Sequence, residues 1–220
     1  LIDQEGGKVS RLNKIIDFSC FSQTYFGKLY KKNKNLFLSN YKVYIDTVSS
    51  ILNEVGININ TVPVLDVKRK KSHKIIDTRS FSNESSTVIE LGKLCINLYK
   101  KNKIATVTKH IPGHGLAKVD SHFNTPVIKS SKKELINNDF KTFKNCKSFF
   151  SMTGHVVYSV FDSKNTVTHS KDIINKVIRN HINFKGILIS DDISMKSLKG
   201  SLEDNALKAL KSGCNLILHC

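Results

Sequence analysis

The chain lacks the apolar runs and the leader pattern that mark membrane-spanning and secreted proteins. No stretch of its 220 residues is apolar enough to cross a bilayer, and no signal-peptide pattern is visible. Linkers, internal repeats and low-complexity tracts are absent as well. Because 40% of the residues are hydrophobic, the chain can build one sizeable core. We expect a single domain over residues 1–220 and no membrane contact.

Closely spaced cysteine pairs are also absent. The chain has five cysteines, an odd number, and no Cys-x-x-Cys motif. This usage favours free thiols in a reducing compartment over a disulfide framework. The cysteines are Cys20, Cys95, Cys146, Cys214 and Cys220.

Acidic residues are scarce, with 18 of them against 35 lysines and arginines, and the net charge is +17. Such an excess invites a nucleic-acid interpretation. However, lysine dominates over arginine and is spread along the whole chain. The basic runs at residues 31–34 and 68–71 have little aromatic interleaving. We therefore interpret the lysines as a solvated surface and expect no nucleic-acid partner.

Helices and strands alternate along the sequence, and both of its ends lie in predicted strands, so we expect a fragment cut at both ends. Apolar residues at helical spacing predict the helices, and short apolar runs predict the strands. Helices are predicted at residues 41–55 and 85–101, from a capping box at 131–134 to about 143, after Ser170, and at 203–211. Strands are predicted at residues 57–67, 104–108, 148–152, 186–190 and 214–218, with residues 1–2 as the end of a sixth.

This alternation predicts a parallel sheet, and polar residues follow the carboxyl ends of its strands. Either a (β/α)8 barrel or a doubly wound sheet places a site there. The turn at Gly6-Gly7 does not supply the Gly-x-Gly-x-x-Gly pattern of a doubly wound nucleotide fold. We predict an α/β fold, a (β/α)8 TIM-type barrel with about six of its strands present. The strand-end residues are Asp3, Asp66, His110, His155 and Asp191.

The most informative segment is residues 109–115, followed by Asp120-Ser121-His122. It forms a Gly-rich polar loop after a strand, where binding and catalytic residues collect. If the loop turns, Asp120 can accept a proton from one ring nitrogen of His122 and leave the other nitrogen for general acid/base work. On the motif alone, a polar loop whose histidines cap backbone groups is an equally good interpretation.

Zinc binding is a third interpretation of this segment, because three histidines and an aspartate have suitable ligand chemistry. Pro112 separates His110 from His114, so the two cannot be an i, i+4 pair within a regular helix. No other tight His/Glu pair is present. We therefore expect no metal.

Two further carboxylate positions stand out. Asp191 and Asp192 follow an apolar run, and one of them can serve as a nucleophile or stabilise a cationic transition state. The other can cap a helix. Asp3 and Arg11 flank a Gly-Gly turn and are able to grip hydroxyl groups, although alone they are more typical of a surface turn.

Taken together, these segments resemble the family 3 glycoside hydrolases, in particular the bacterial β-N-acetylhexosaminidases. The resemblance covers essentially the whole chain, and the joint occurrence of the 109–122 block and the Asp191 block is highly specific. Lys8 stands where arginine is more usual, and Thr78 is a small variation beside Arg79; neither touches the proposed chemistry. The matching segments are residues 2–12, 63–67, 77–81, 109–115, 120–122, 152–155 and 189–195.

The resemblance implies a retaining mechanism on a (β/α)8-like barrel. Asp191 matches the nucleophile, His122 the acid/base, and Asp120 the residue that orients and polarises the imidazole. Retaining glycosidases usually use two carboxylates, so a histidine here takes one of the two roles. Sugar-binding positions are matched by Asp3, Arg11, Arg79, Lys109 and His110.

The implied substrate is a small carbohydrate, a terminal, non-reducing, β-linked N-acetylglucosamine. In bacteria this class trims muropeptides in the cytoplasm during peptidoglycan recycling, and no cofactor is implied. Three alternatives stay open: a relative that acts on other β-glycosides or uses phosphate as acceptor, a non-catalytic sugar-binding relative, and a metal-dependent hydrolase.

Overall fold

The computed structural model describes residues 1–69 and 76–220, and its centre is a sheet of five parallel strands. A separate pair of short strands lies outside this sheet. The sheet contains β1 (Ile59–Asn60), β2 (Ala105–Ile111), β4 (Phe150–Thr153), β6 (Ile187–Asp192) and β7 (Leu216–Leu218), and the separate pair is β3 (Val127–Ile128) with β5 (Val157–Tyr158).

The strand order distinguishes a barrel from a doubly wound sheet. The order β1-β2-β4-β6-β7 follows the chain without a reversal, whereas a doubly wound sheet reverses direction at its switch point. Ile2 extends the same progression, because its N–H donates to the Ile59 carbonyl at 3.0 Å and its carbonyl accepts from the Thr61 N–H at 2.9 Å. The arrangement confirms the predicted TIM-type α/β fold.

Helices lie between successive strands and pack their apolar sides against the sheet in one large core. Helix α3 is representative, since Val88, Leu91 and Leu98 repeat at helical spacing and are buried. Helix α6 ends at Gly213, whose φ of +118° is accessible to glycine at little cost. The helices are α1 (Gln23–Lys32), α2 (Lys34–Glu54), α3 (Ser85–Lys101), α4 (Lys132–Asn137), α5 (Asp139–Asn145) and α6 (Leu202–Ser212), with a π-helical segment at Ile173–His181.

A smaller apolar cluster comprises Val107, Met152 and Ile189, one residue from each of β2, β4 and β6. Met152 pairs in register with Ile189 on one side and with Lys109 on the other. The inner cluster therefore continues directly into the charged residues at the carboxyl ends of the strands.

The predicted helix through residue 143 is in fact two helices, and this prediction was wrong. The capping box is present, since the Ser131 hydroxyl accepts the Glu134 N–H at 3.2 Å. The break falls at Asn138, whose φ of −120° and ψ of −68° leave the helical region. Asparagine is a weak helix former, and the break starts α5 at Asp139, whose side chain is buried against Arg69.

Helix α1 was not predicted, and the strand at residues 57–67 was predicted too long. Gly27 lies within α1, where a Cβ would come within 1.9 Å of the Phe81 carbonyl oxygen; a glycine needed for close packing weakens the helical signal. The strand ladder stops after Asn60, and Pro63 beyond it has no N–H to donate.

Two expectations from composition can be placed on the structure. All five cysteines are free. Lys70 and Lys71 of the second basic run lie outside the described residues. Within the described residues, no helix combines the length and apolar character needed to cross a membrane.

Candidate active site

A cavity of about 450 Å3 opens at the carboxyl ends of the parallel strands. Seven of the eight residues singled out from the sequence line it, and Asp120 stands behind His122. These seven are Asp3, Arg11, Arg79, Lys109, His110, His122 and Asp191.

Lys109 forms the centre of a buried ion network at one side of the cavity. Its side chain is 1% exposed, and its ammonium lies 2.5 Å from Asp3 Oδ1 and 2.6 Å from Glu5 Oε1. It also donates to the Thr61 hydroxyl at 2.9 Å. Although burial opposes ionisation, the carboxylates of Glu5 and Asp3 hold the pKa of Lys109 above its ordinary value. The lysine is therefore a fixed cation.

Arg79 is the second cation of this network and is positioned by a short 3-10 helix, Asp77–Arg79. Its Nε and Nη2 donate to the two carboxylate oxygens of Glu5, each at 2.8 Å. Burial raises the pKa of Glu5, but the nearby Arg79 and Lys109 outweigh it and hold that pKa below its ordinary value. A bidentate pair of this kind fixes the guanidinium plane.

Asp66 organises the histidine segment from the neighbouring strand end. Its Oδ2 lies 2.7 Å from His110 Nδ1, and its Oδ1 accepts the His114 N–H at 2.6 Å. Asp66 is fully buried, and although burial opposes ionisation, the facing His110 holds its pKa below the ordinary value. One carboxylate therefore fixes the His110 ring and the backbone that follows it.

His114 links this buried framework to the loop that carries the Asp-His pair. Its Nε2 lies 3.2 Å from the Ser121 hydroxyl, and its Nδ1 is buried without a hydrogen-bond partner among the described residues. Burial, reinforced by His110, lowers the pKa of His114 to about 4. The imidazole is neutral at physiological pH.

Asp120 and His122 form the turn that the sequence predicts. Asp120 Oδ1 accepts the His122 backbone N–H at 2.8 Å and lies 2.8 Å from His122 Nδ1. The His122 side chain is 56% exposed, whereas that of Asp120 is 23% exposed. The carboxylate thus orients the ring, and Nε2 is the nitrogen left to meet a ligand.

The adjacent aspartates at the end of β6 have different surroundings. Asp192 holds the following turn, since its carboxylate accepts the Ser194 N–H at 3.0 Å and the Ser194 hydroxyl at 2.6 Å. Asp191 accepts only the Asp192 N–H, at 3.0 Å, among the hydrogen bonds of the described residues. Asp191 is therefore the carboxylate that is available to a ligand in the cavity.

A relay of hydroxyl groups supports Asp191 from below. Its N–H donates to the Thr153 hydroxyl at 3.4 Å, which lies 2.8 Å from the Thr168 hydroxyl. The buried His155 lies 2.7 Å from that same Thr168 hydroxyl, through Nδ1, and 2.9 Å from the Asp192 carbonyl, through Nε2. The sequence placed His155 at a strand end, and the structure places it behind the aspartate turn.

Sequence reasoning gave no role to Glu5 or Ser121, treated His114 only as a metal candidate, and named Asp66 only as a strand-end residue. Glu5 stands in the first matching segment, but sequence carries no signal that its carboxylate is buried between two cations. Among the described residues, no three of His, Cys, Asp and Glu come together as a metal site. His110 and His114 are instead both held by Asp66.

Parallel strands in chain order, with a polar cavity at their carboxyl ends, define an α/β-barrel protein with its site at the C-terminal face. Cations and carboxylates that converge on a single cavity suit a polyhydroxylated ligand. The chain belongs to glycosyl hydrolase family 3: the model of the family's N-terminal domain matches residues 1–220.

Named relatives agree with this assignment. A β-hexosaminidase from Psychromonas ingrahamii is 34% identical over 230 residues, covering the whole chain and 65% of that protein. The structure of a family 3 β-N-acetylglucosaminidase from Paenibacillus sp. matches with a TM-score of 0.89 and 26% identity, over 99% of this chain and 41% of that one.

The structure of NagZ from Neisseria gonorrhoeae in complex with N-trifluoroacetyl-D-glucosamine matches with a TM-score of 0.85 and 27% identity, over 99% of this chain and 63% of that one. The chain spans 39% to 65% of the length of the curated relatives it matches.

Proposed function

We propose that the protein containing this chain is a retaining glycosidase that releases terminal, β-linked N-acetylglucosamine. The observation that carries the proposal is the convergence of Asp191 and His122 on one cavity beside a buried network of sugar-binding type. The family and the named β-hexosaminidase relatives support the same reaction class.

In the first half of the reaction, the Asp191 carboxylate attacks the anomeric carbon and the glycosidic C–O bond breaks. The Asp191 side chain is suited to this role because Asp192, and not Asp191, holds the turn. The leaving oxygen takes a proton from Nε2 of His122, and a covalent glycosyl-enzyme forms.

In the second half, His122 takes a proton from water while the water oxygen attacks the same carbon. The bond to Asp191 breaks, and the sugar leaves with its original anomeric configuration. Asp120 positions the ring for both transfers through the contact at 2.8 Å to Nδ1. Proton transfer by a positioned side chain typically contributes 10²–10⁴-fold.

The buried network would hold the sugar while the chemistry occurs. Lys109 and Arg79 donate to hydroxyl or acetamido oxygens, and Asp3, whose side chain is 41% exposed, accepts from hydroxyls. His110 lies within the same cavity, 3.4 Å from Arg79. Arg11 lines the outer part of the cavity.

We extend the proposal to muropeptides as natural substrates and to a cytoplasmic role in cell-wall recycling. The named relatives that act on N-acetylhexosaminides support the substrate. The five free cysteines support a reducing compartment.

The test is a panel of aryl glycosides given to the full-length protein, with and without phosphate and with and without chelator. We expect release from N-acetyl-β-glucosaminide, no need for phosphate, and no effect of chelator. Asp191→Asn should lower turnover by more than about 10³-fold. The matched variant Asp192→Asn removes a turn contact and should stay within about tenfold. Near-normal turnover in Asp191→Asn would remove this residue as nucleophile.

A further inference from the structure

A second cavity, of about 400 Å3, lies outside the candidate active site. It is bounded by the segment after β5, the loop after β6 and helix α6. Its lining and that of the first cavity share no residue. The sequence analysis gave no role to any residue in it.

The charge of this second cavity is uniformly positive. The side chains of Lys164, Lys199 and Lys208 come from three different segments and line it together. In the part of the chain that the structure describes, no carboxylate lies within 4 Å of any of their ammonium groups. Nor does an aspartate or glutamate line the cavity. Asp162, the carboxylate that precedes Lys164, accepts from the turn amides and from Ser170 instead.

Two buried hydroxyl groups in the wall of this cavity are unsatisfied. Thr166 is 6% exposed and Ser197 is 3% exposed, and neither Oγ has a hydrogen-bond partner among the described residues. A buried hydroxyl without a partner costs free energy, so each such group requires an explanation. Both are donors, and both belong to residues that line a cavity with three ammonium groups.

We infer that this cavity is a binding site for a phosphate group, either inorganic phosphate or a phosphate monoester. Phosphate carries several acceptor oxygens, which match three ammonium groups and two hydroxyl donors. The volume exceeds what a bare phosphate fills and leaves room for a sugar-sized substituent. The site is distinct from any use of phosphate as an acceptor at Asp191.

The position of this site also connects it to both catalytic loops. The Thr125 hydroxyl, in the wall of the cavity, donates to the Ser197 carbonyl at 2.7 Å. The Lys196 N–H donates to the His122 carbonyl at 3.3 Å. A phosphate held between these segments would therefore brace the loop that carries His122 against the turn that carries Asp191.

The experiment measures binding of inorganic phosphate and of glucose 6-phosphate to the full-length protein by calorimetry, at constant ionic strength set with chloride. Lys208→Ala removes one lining charge, and Lys211→Ala, on the same helix but outside the cavity, removes the same charge elsewhere. We expect about tenfold weaker binding in Lys208→Ala and in Thr166→Val, and unchanged binding in Lys211→Ala. Tighter binding of one probe identifies whether the free ion or the monoester is preferred.

Three results would overturn the inference. They are no saturable binding of either probe, equal weakening by Lys208→Ala and Lys211→Ala, and weakening by Arg11→Ala at the active-site cavity in place of Lys208→Ala. The second result would indicate a bulk charge effect, and the third would place phosphate beside Asp191. Because binding is read directly, these results do not depend on whether the glycosidase proposal holds.

Discussion

The two sides of the candidate active site differ in how firmly their groups are held. On one side, Lys109 and Glu5 are each 1% exposed in their side chains and share a network with Arg79. On the other side, His122 is 56% exposed and is held by one carboxylate on its own loop. The first region is a fixed set of charges, and the second is a surface turn.

This contrast indicates a division of labour. Groups that bind a sugar in its ground state gain from being fixed in advance, because no reorganisation is needed when the ligand arrives. An acid/base must reach the leaving oxygen in the first step and water in the second, and an exposed turn allows that movement. The structure joins the two regions through one side-chain contact, between His114 and Ser121.

The largest effect should come from breaking the buried region. Glu5→Gln removes the shared counter-ion of two buried cations, which should cost about 3–5 kcal/mol in the free energy of unfolding. Chemical denaturation of the full-length protein measures this. The control Glu84→Gln breaks an exposed pair with Lys31 and should cost less than about 1 kcal/mol. Equal losses would show that burial of the network does not matter.

The exposed region should respond in the opposite way. His122→Ala should leave the free energy of unfolding within about 0.5 kcal/mol but lower turnover by about 10²–10³-fold on a poor leaving group. Steady-state kinetics on two aryl glycosides checks this, and the loss should shrink with the better leaving group. An equal loss on both would contradict an acid role.

His114 joins the two regions and predicts a pH dependence. Because burial lowers its folded-state pKa to about 4 from the ordinary 6.5, the unfolded chain binds the extra proton between these values. Its contribution is present above pH 6.5 and is lost as pH falls toward 4, by about 3 kcal/mol. Unfolding measured across this range should show a shallower slope in His114→Gln. An unchanged slope would contradict the shifted pKa.

The smallest effect should come from the contact itself. Ser121→Ala removes the partner of His114 Nε2 and should cost about 1 kcal/mol, with faster hydrogen exchange confined to residues 116–124. The buried network should keep its protection. Faster exchange at Lys109 as well would mean that the two regions are one unit.

Sequence patterns predicted the barrel-type sheet because its signals are local. The apolar spacing of α3 and the glycine that ends α6 act within one element, and each was predicted within a residue or two. Helix α1 and the break at Asn138 depend on packing against distant segments. Such contacts leave no local pattern in the chain.

The same reasoning explains the site. The turn in which Asp120 binds His122 spans neighbouring residues, so its geometry could be predicted. The role of Glu5 depends on Arg79 and Lys109, which are far away in the chain, and its burial was not predictable. Of the two adjacent aspartates, the sequence could not say which holds the turn; the contacts of Ser194 assign that task to Asp192.

The central claim is that Asp191 carries the sugar covalently while His122 moves the proton. The most direct measurement is peptide mass mapping of full-length His122→Ala after reaction with an aryl N-acetyl-β-glucosaminide. A good leaving group lets the first step proceed, and loss of the base slows the second. The account predicts an added N-acetylhexosamine mass on the peptide that contains Asp191, absent in His122→Ala/Asp191→Asn. An adduct on another residue, or turnover with inverted configuration and no adduct, would contradict it.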